Sequence, residues 1–143
     1  MADIQELFNQ LAAGAKAKSL ADKPIITLGE LIAKLEQQDQ NSELAVEFHD
    51  RLCAFDGTDS YRGYYSDLCI EPGGASYSSV GEALNLLRGA VGGTFTGYKG
   101  GEYTMSNRTI VWVDYYGSCS GIGVTGVEAR DGLVVITSAD CEN

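Results

Sequence analysis

An Asp-Gly step between two apolar runs sets the first boundary condition on this fold. Gly121 to Ala129 and Leu133 to Ser138 flank Arg130-Asp131-Gly132. Glycine accepts a positive φ without a steric penalty, and Asp-Gly turns match the twist of paired strands. The segment is therefore predicted to be a tight β-hairpin. Upstream, Glu102 to Met105 and Thr109 to Tyr115 flank Ser106-Asn107-Arg108, which reads as a second hairpin.

Two helices announce themselves by their first turns. Thr27-Leu28-Gly29-Glu30 and Ser79-Val80-Gly81-Glu82 both match a capping box, in which hydroxyl and carboxylate each satisfy an amide of the helix start. Leu28, Leu31, Ile32 and Leu35 give the first a buried stripe to about Gln38. Val80, Leu84, Leu87 and Val91 do the same for the second, which ends at Gly92-Gly93. Ile4, Leu7, Phe8 and Leu11 also fall at helical spacing. That stretch, to Lys18, reads as an N-terminal helical arm over residues 1–24, packed on a partner subunit or on its own core. Between the two capped helices, Leu44, Val46 and Phe48 alternate with polar neighbours as a strand with one buried face. Residues 55–60 read as a loop, and a short strand follows from Leu68 to Glu71. The sum for residues 25–143 is a single α+β domain: an antiparallel sheet of about five or six strands, with two or three helices packed on one face.

Charge narrows the partners. The 143 residues carry 10 Lys and Arg against 20 Asp and Glu, a formal charge of -10. That field repels a polyanion, so direct nucleic-acid binding is not expected. An acidic surface suits a basic protein, and a small anion can still be held by a local basic pocket. No apolar run reaches the roughly 20 residues of a membrane helix, and the first residues lack the basic start and apolar core of a secretory signal. A cytoplasmic location is expected. The cysteines, Cys53, Cys69, Cys119 and Cys141, are widely spaced, and His49 is the sole histidine, so neither a metal nor a cofactor is expected.

Two motifs match strings of known chemistry without the required context. Gly121-Ile122-Gly123-Val124-Thr125-Gly126 fits GxGxxG, but a hairpin follows where a dinucleotide site needs a helix. Gly117-Ser118-Cys119-Ser120-Gly121 has the outline of a nucleophile elbow, which needs a strand-to-helix turn and a nearby base. No enzymatic activity is expected.

The candidate site comes from two tyrosine- and glycine-rich segments, 60–67 and 94–104. Together they hold Tyr61, Tyr64, Tyr65, Tyr98 and Tyr103, five of the eight tyrosines, with Arg62 and Lys99 set among them. Aromatic faces stack on bases, cations pair with phosphate, and glycines let backbone amides approach an anion. Arg108 adds a third cation, and Glu102 and Asn107 are candidates for hydrogen bonds to a base or ribose. The same residues also suit a protein-recognition surface, since Tyr and Arg anchor interfaces, and tyrosine is a good strand residue in its own right.

The runs Thr-Leu-Gly-Glu-Leu-Ile at 27–32, Ser-Tyr-Arg-Gly-Tyr-Tyr at 60–65 and Thr-Phe-Thr-Gly-Tyr-Lys-Gly-Gly-Glu-Tyr-Thr-Met at 94–105 resemble a family of small proteins carried by bacteriophages and mobile elements. The resemblance covers about residues 25 to 138. It implies an accessory protein that antagonises host antiviral defence. One mechanism is a sponge that sequesters a nucleotide-like signal, as in opposition to Thoeris or cyclic-oligonucleotide systems. The other is an acidic, nucleic-acid-mimicking inhibitor of a CRISPR or restriction complex. The expected partner is thus a small nucleotide-like ligand or a host defence protein, and the pocket is expected to need a homo-oligomer.

Overall fold

A computed structural model of the chain describes residues 24–62, 64–74, 76–97, 99–115 and 118–141. The N-terminal arm up to residue 23 and Tyr98 lie outside the described residues. Both capping boxes are present. The Thr27 amide donates to Glu30 Oε1 and the Glu30 amide to Thr27 Oγ1, at 2.9 and 3.2 Å. Ser79 and Glu82 repeat the exchange at 2.9 and 3.1 Å. Helix α1 runs over Leu28–Glu36 and α2 over Val80–Ala90. Leu28, Leu31 and Leu35 of α1 and Val80, Leu84 and Leu87 of α2 are fully buried. Each such side chain contributes about 1.5–3 kcal/mol relative to exposure.

Among the described residues there are ten strands, in chain order β1 Glu43–Phe48, β2 Arg51–Cys53, β3 Phe55–Ser60, β4 Leu68–Pro72, β5 Ser78–Ser79, β6 Thr94–Thr96, β7 Glu102–Thr104, β8 Val111–Tyr115, β9 Ser118–Arg130 and β10 Leu133–Asp140. Seven of them pair in the order β2-β1-β10-β9-β8-β4-β3, and β5 adds to β1 beside β2. Strands β6 and β7 form a separate hairpin.

This corrects the α+β expectation of an antiparallel sheet with helices on one face. The protein is mostly β, and its main sheet is mixed and curled into a half-barrel. β1 runs parallel to β10, and β4 parallel to β8. The physical reason is that parallel partners are far apart in sequence, so no local turn signals them. Residues 55–60 are a strand rather than a loop. Phe-Asp-Gly-Thr-Asp-Ser has turn chemistry, yet an edge strand tolerates it, because only Phe55 and Ser60 are buried. The expected hairpin through Ser106-Asn107-Arg108 is also corrected: β7 pairs with β6, and β8 goes to β4 and β9. The Asp131-Gly132 turn is present. Both residues have positive φ, at 47° and 87°, and Arg130 pairs with Leu133 across it.

The main core lies between the two helices and the inner face of the curl. Leu44 and Val46 of β1, Leu68 and Ile70 of β4, Val111 and Val113 of β8, and Val134 and Ile136 of β10 line it. β1 differs from a half-buried strand, since Ala45 between Leu44 and Val46 is also fully buried, as is its neighbour Val135. Across that outer face, Arg130 donates to Glu47 at 3.1 Å and also to Glu128, and Glu128 is itself paired with Val135.

The ends of the sheet are close together. β2 and β3 lie at opposite ends of the strand order, yet Ala54 alone separates them in the chain. Two virtual bonds of 3.8 Å limit Cys53 and Phe55 to about 7.6 Å apart, which forces the curl at this seam.

Candidate functional site

The loop from β3 to β4 carries the first aromatic segment and is tied from within. The Tyr61 amide donates to the Asp67 carbonyl at 2.9 Å, the Asp67 amide to the Tyr64 carbonyl at 2.8 Å, and Ser60 Oγ to the Tyr65 carbonyl at 2.6 Å. Tyr61 is completely buried. Its ring stacks on Trp112 with centroids 4.7 Å apart and planes 4° apart. Its hydroxyl oxygen accepts from the amides of Ser120 and Gly121, both at 2.9 Å. Tyr61 therefore pins β9 and is not presented to solvent. Tyr64 is half exposed, leaning against Tyr61 and Trp112 at 6.1 and 5.6 Å.

The second segment is the β6–β7 hairpin. Tyr103 packs over the backbone of its own turn. A Cβ at Gly97 would come within 2.9 Å of Tyr103 Cε2, and one at Gly101 within 3.0 Å of the Tyr103 hydroxyl. Gly97 and Gly101 thus make room for an aromatic ring, whereas Gly100 between them takes a positive φ of 98° with open space around it. The two segments do meet, because Tyr65 stacks on Tyr103 at 5.8 Å. The cations are placed otherwise. Lys99 is exposed near the hairpin tip and Arg62 is half-buried. Neither lines any of the three concavities described below. Glu102 is exposed on β7. Asn107 and Arg108 are exposed in a turn beside α1, where the Asn107 carbonyl accepts from the Gly29 amide at 2.9 Å.

A different group of side chains converges at the open end of the half-barrel, where β1, β4 and β8 finish. There Phe48, His49, Arg51, Cys53, Pro72, Gly73, Asp114, Tyr115 and Ser120 line a cavity of about 540 Å³. Phe48 and Tyr115 stack at 5.8 Å and 17°, and the His49 ring meets Phe48 edge-on at 4.5 Å. Tyr115 is half exposed, whereas Asp114 is buried. His49 sits in the two-residue β1–β2 turn with φ of 59°, a left-handed conformation that non-glycine residues rarely adopt. A second hollow, of about 530 Å³, continues along the seam towards Leu52 and Tyr77 and shares Arg51, Cys53 and Gly73 with the first. Arg51 thus stands where the two halves of a trough meet. Aromatic faces at one end and a guanidinium in the middle suit a planar ligand with an anionic group.

The outer face beside this trough is acidic. Burial, and then the carboxylates of Asp114, Asp59 and Asp56, push Glu71 above the ordinary carboxylate range. Burial pushes the Cys69 thiol up as well, assisted by Asp114, Glu71 and Asp59. Asp67 is raised by burial and partly brought back by the Trp112 indole N–H, which donates to it at 2.9 Å. Among the described residues no cluster of His, Cys, Asp and Glu has the arrangement of a metal site, and no helix is long and apolar enough to cross a membrane. The GxGxxG string lies inside β9, which runs straight into a hairpin.

Sequence reasoning missed the trough because its walls come from four separate stretches: 48–53, 72–73, 114–115 and 120. The only signal available was the sole histidine beside an arginine at a strand end. Comparison with family models, with curated proteins and with solved structures finds no match to this chain.

Proposed function

We propose that the protein is a non-enzymatic binder that sequesters a small nucleotide-like anion in the seam trough. In this reading it is a phage-type accessory protein acting in the cytoplasm of an infected host cell, against a defence pathway that signals through such a molecule. The observation that supports it is the position of Arg51, shared by two adjoining hollows and next to the stacked Phe48–Tyr115 pair. The ring pair would stack on the base, and Arg51 would meet the phosphate. This moves the expected phosphate contact from Arg62, Lys99 and Arg108 to Arg51.

A thermal-shift series with cyclic dinucleotides and ADP-ribose-type ligands tests the proposal. A ligand at 100 times its Kd stabilises the fold by about 2.7 kcal/mol through mass action. Arg51→Ala should remove that gain and Arg62→Ala should preserve it, and the ligand should leave the denatured protein intact. Product formation would mean an enzyme, and retention of the gain in Arg51→Ala would displace the site from the trough.

A second reading is supported by Glu71 on β4, which the carboxylates of Asp114 on β8 and Asp59 and Asp56 on β3 help to push up, together with the net charge of -10. In that reading the acidic face mimics nucleic acid and blocks a basic groove of a CRISPR or restriction complex. It would show as strongly salt-dependent binding to a basic protein, with no nucleotide-induced stabilisation.

A further inference from the structure

The charges along the trough are ordered. Arg51 stands at the junction of the two hollows, and each hollow has a carboxylate of its own, Asp114 in the first and Glu43 in the second. The third concavity, of about 480 Å³ beside Tyr64, Ile110 and Trp112, has Asp67 as its sole charged side chain. Among the described residues that line the three, Arg51 is therefore the one Lys or Arg. An anionic group is favoured at the junction over either end. The ends offer apolar surface instead. Two of the large apolar side chains that stand out to solvent divide between the hollows, Tyr115 in the first and Leu52 in the second. Tyr77 joins Leu52 there and gives the second hollow an aromatic ring.

Strand register sets the two ends apart. β2 and β5 lie along the same edge of β1, with Arg51 opposite Phe48 and Ser78 opposite Leu44. Those pairs are separated by about 13 Å of β1, at about 3.3 Å per residue. Tyr77, next to Ser78, lines only the second hollow, and Phe48 and Tyr115 line only the first. Stacked rings lie with centroids about 4.5–7 Å apart, so one planar group cannot serve both ends. We propose that the trough takes a ligand with two planar, uncharged groups joined by an anionic linker, as in a dinucleotide. The inference rests on the binding role proposed for the trough and specifies which molecules fill it. One planar group stacks on the Phe48–Tyr115 pair, the linker meets Arg51, and the second group lies on Tyr77 against Leu52. There Glu43 accepts a hydrogen bond from an N–H of the second group. A nucleotide with one base fills one hollow and leaves Tyr77 and Leu52 in water.

Calorimetric titration of the full chain compares two-base with one-base probes. Diadenosine diphosphate and cyclic di-AMP carry two bases. ADP-ribose keeps the pyrophosphate of the first and has a single base. Wild type should bind the better two-base probe about ten-fold or more tightly than ADP-ribose, the worth of one stacked base. Tyr77→Leu, which keeps bulk without the ring, should erase that margin and leave ADP-ribose unchanged. Leu52→Ser, at an exposed position, is the second variant and should narrow it. Arg51→Ala should weaken every probe. Melting of each unliganded variant checks that the chain is folded. Equal affinity for ADP-ribose and both two-base probes would overturn the two-ended site while leaving the Arg51-dependent trough in place. So would a margin untouched by both Tyr77→Leu and Leu52→Ser. Binding of no probe, or binding indifferent to Arg51→Ala, would overturn the trough reading and this inference with it.

Discussion

Replacing Tyr61 by Phe removes one oxygen and leaves the ring on Trp112. In the native protein that oxygen accepts two backbone N–H groups, from Ser120 and Gly121, each at 2.9 Å. Gly121 is buried and Ser120 partly so. A buried donor left without a partner costs about 1–3 kcal/mol. With Ser120 near the lower bound, the pair sums to about 2–4 kcal/mol, a large part of the 5–15 kcal/mol that holds a typical domain together. At about 3 °C per kcal/mol for a domain of this size, melting should fall by about 6–12 °C. Urea unfolding followed through Trp112 emission reads the loss as a lower midpoint at an unchanged slope. Tyr61→Leu should lose about 0.5–1.5 kcal/mol more, through the stacked pair. A Tyr61→Phe midpoint within about 0.5 kcal/mol of wild type would refute the reasoning, because it would show that the hydroxyl does not pin β9.

Two further outcomes follow from the acidic outer face. Glu71 is held above its ordinary value of 4.5, so the folded chain binds that proton more tightly than the unfolded chain. The stabilisation is complete below the unfolded pKa and is lost as pH rises through the folded one. Glu71→Gln should therefore raise the urea midpoint at neutral pH and reduce the gain that wild type shows on acidification; a lower midpoint at neutral pH would contradict this. Cys69, buried and with its thiol pushed up, should resist alkylation in the native protein, while the half-buried Cys53 reacts. Peptide-resolved mass spectrometry checks this, and equal rates without unfolding would count against it.

The parts of the fold legible in the sequence were those set by contacts within a few residues. Thr27 with Glu30, Ser79 with Glu82, and Asp131-Gly132 each carry their own geometry, and each stands where the pattern placed it. The parallel pairings of β1 with β10 and β4 with β8 join residues roughly 40 to 90 positions apart, and nothing local encodes them. β3 was hidden because an edge strand needs few apolar residues, so its Asp-Gly chemistry resembled a turn. The tyrosine-rich segments do come together at Tyr65 and Tyr103. What residue type could not distinguish was a ring offered to solvent from one spent inside. Tyr61 and Tyr64 are three residues apart in one loop, yet one is sealed and the other half open.

The one-residue link at Ala54 bears on how the trough would behave under the binding role proposed above. Its two banks cannot drift apart like the lobes of a hinged clamp, since a covalent strap of fixed length joins them. The opening is thus shaped before any guest arrives, and little ordering remains to be done on contact. Such a vessel is expected to fill at the pace of encounter and to express its selectivity through how slowly each guest departs.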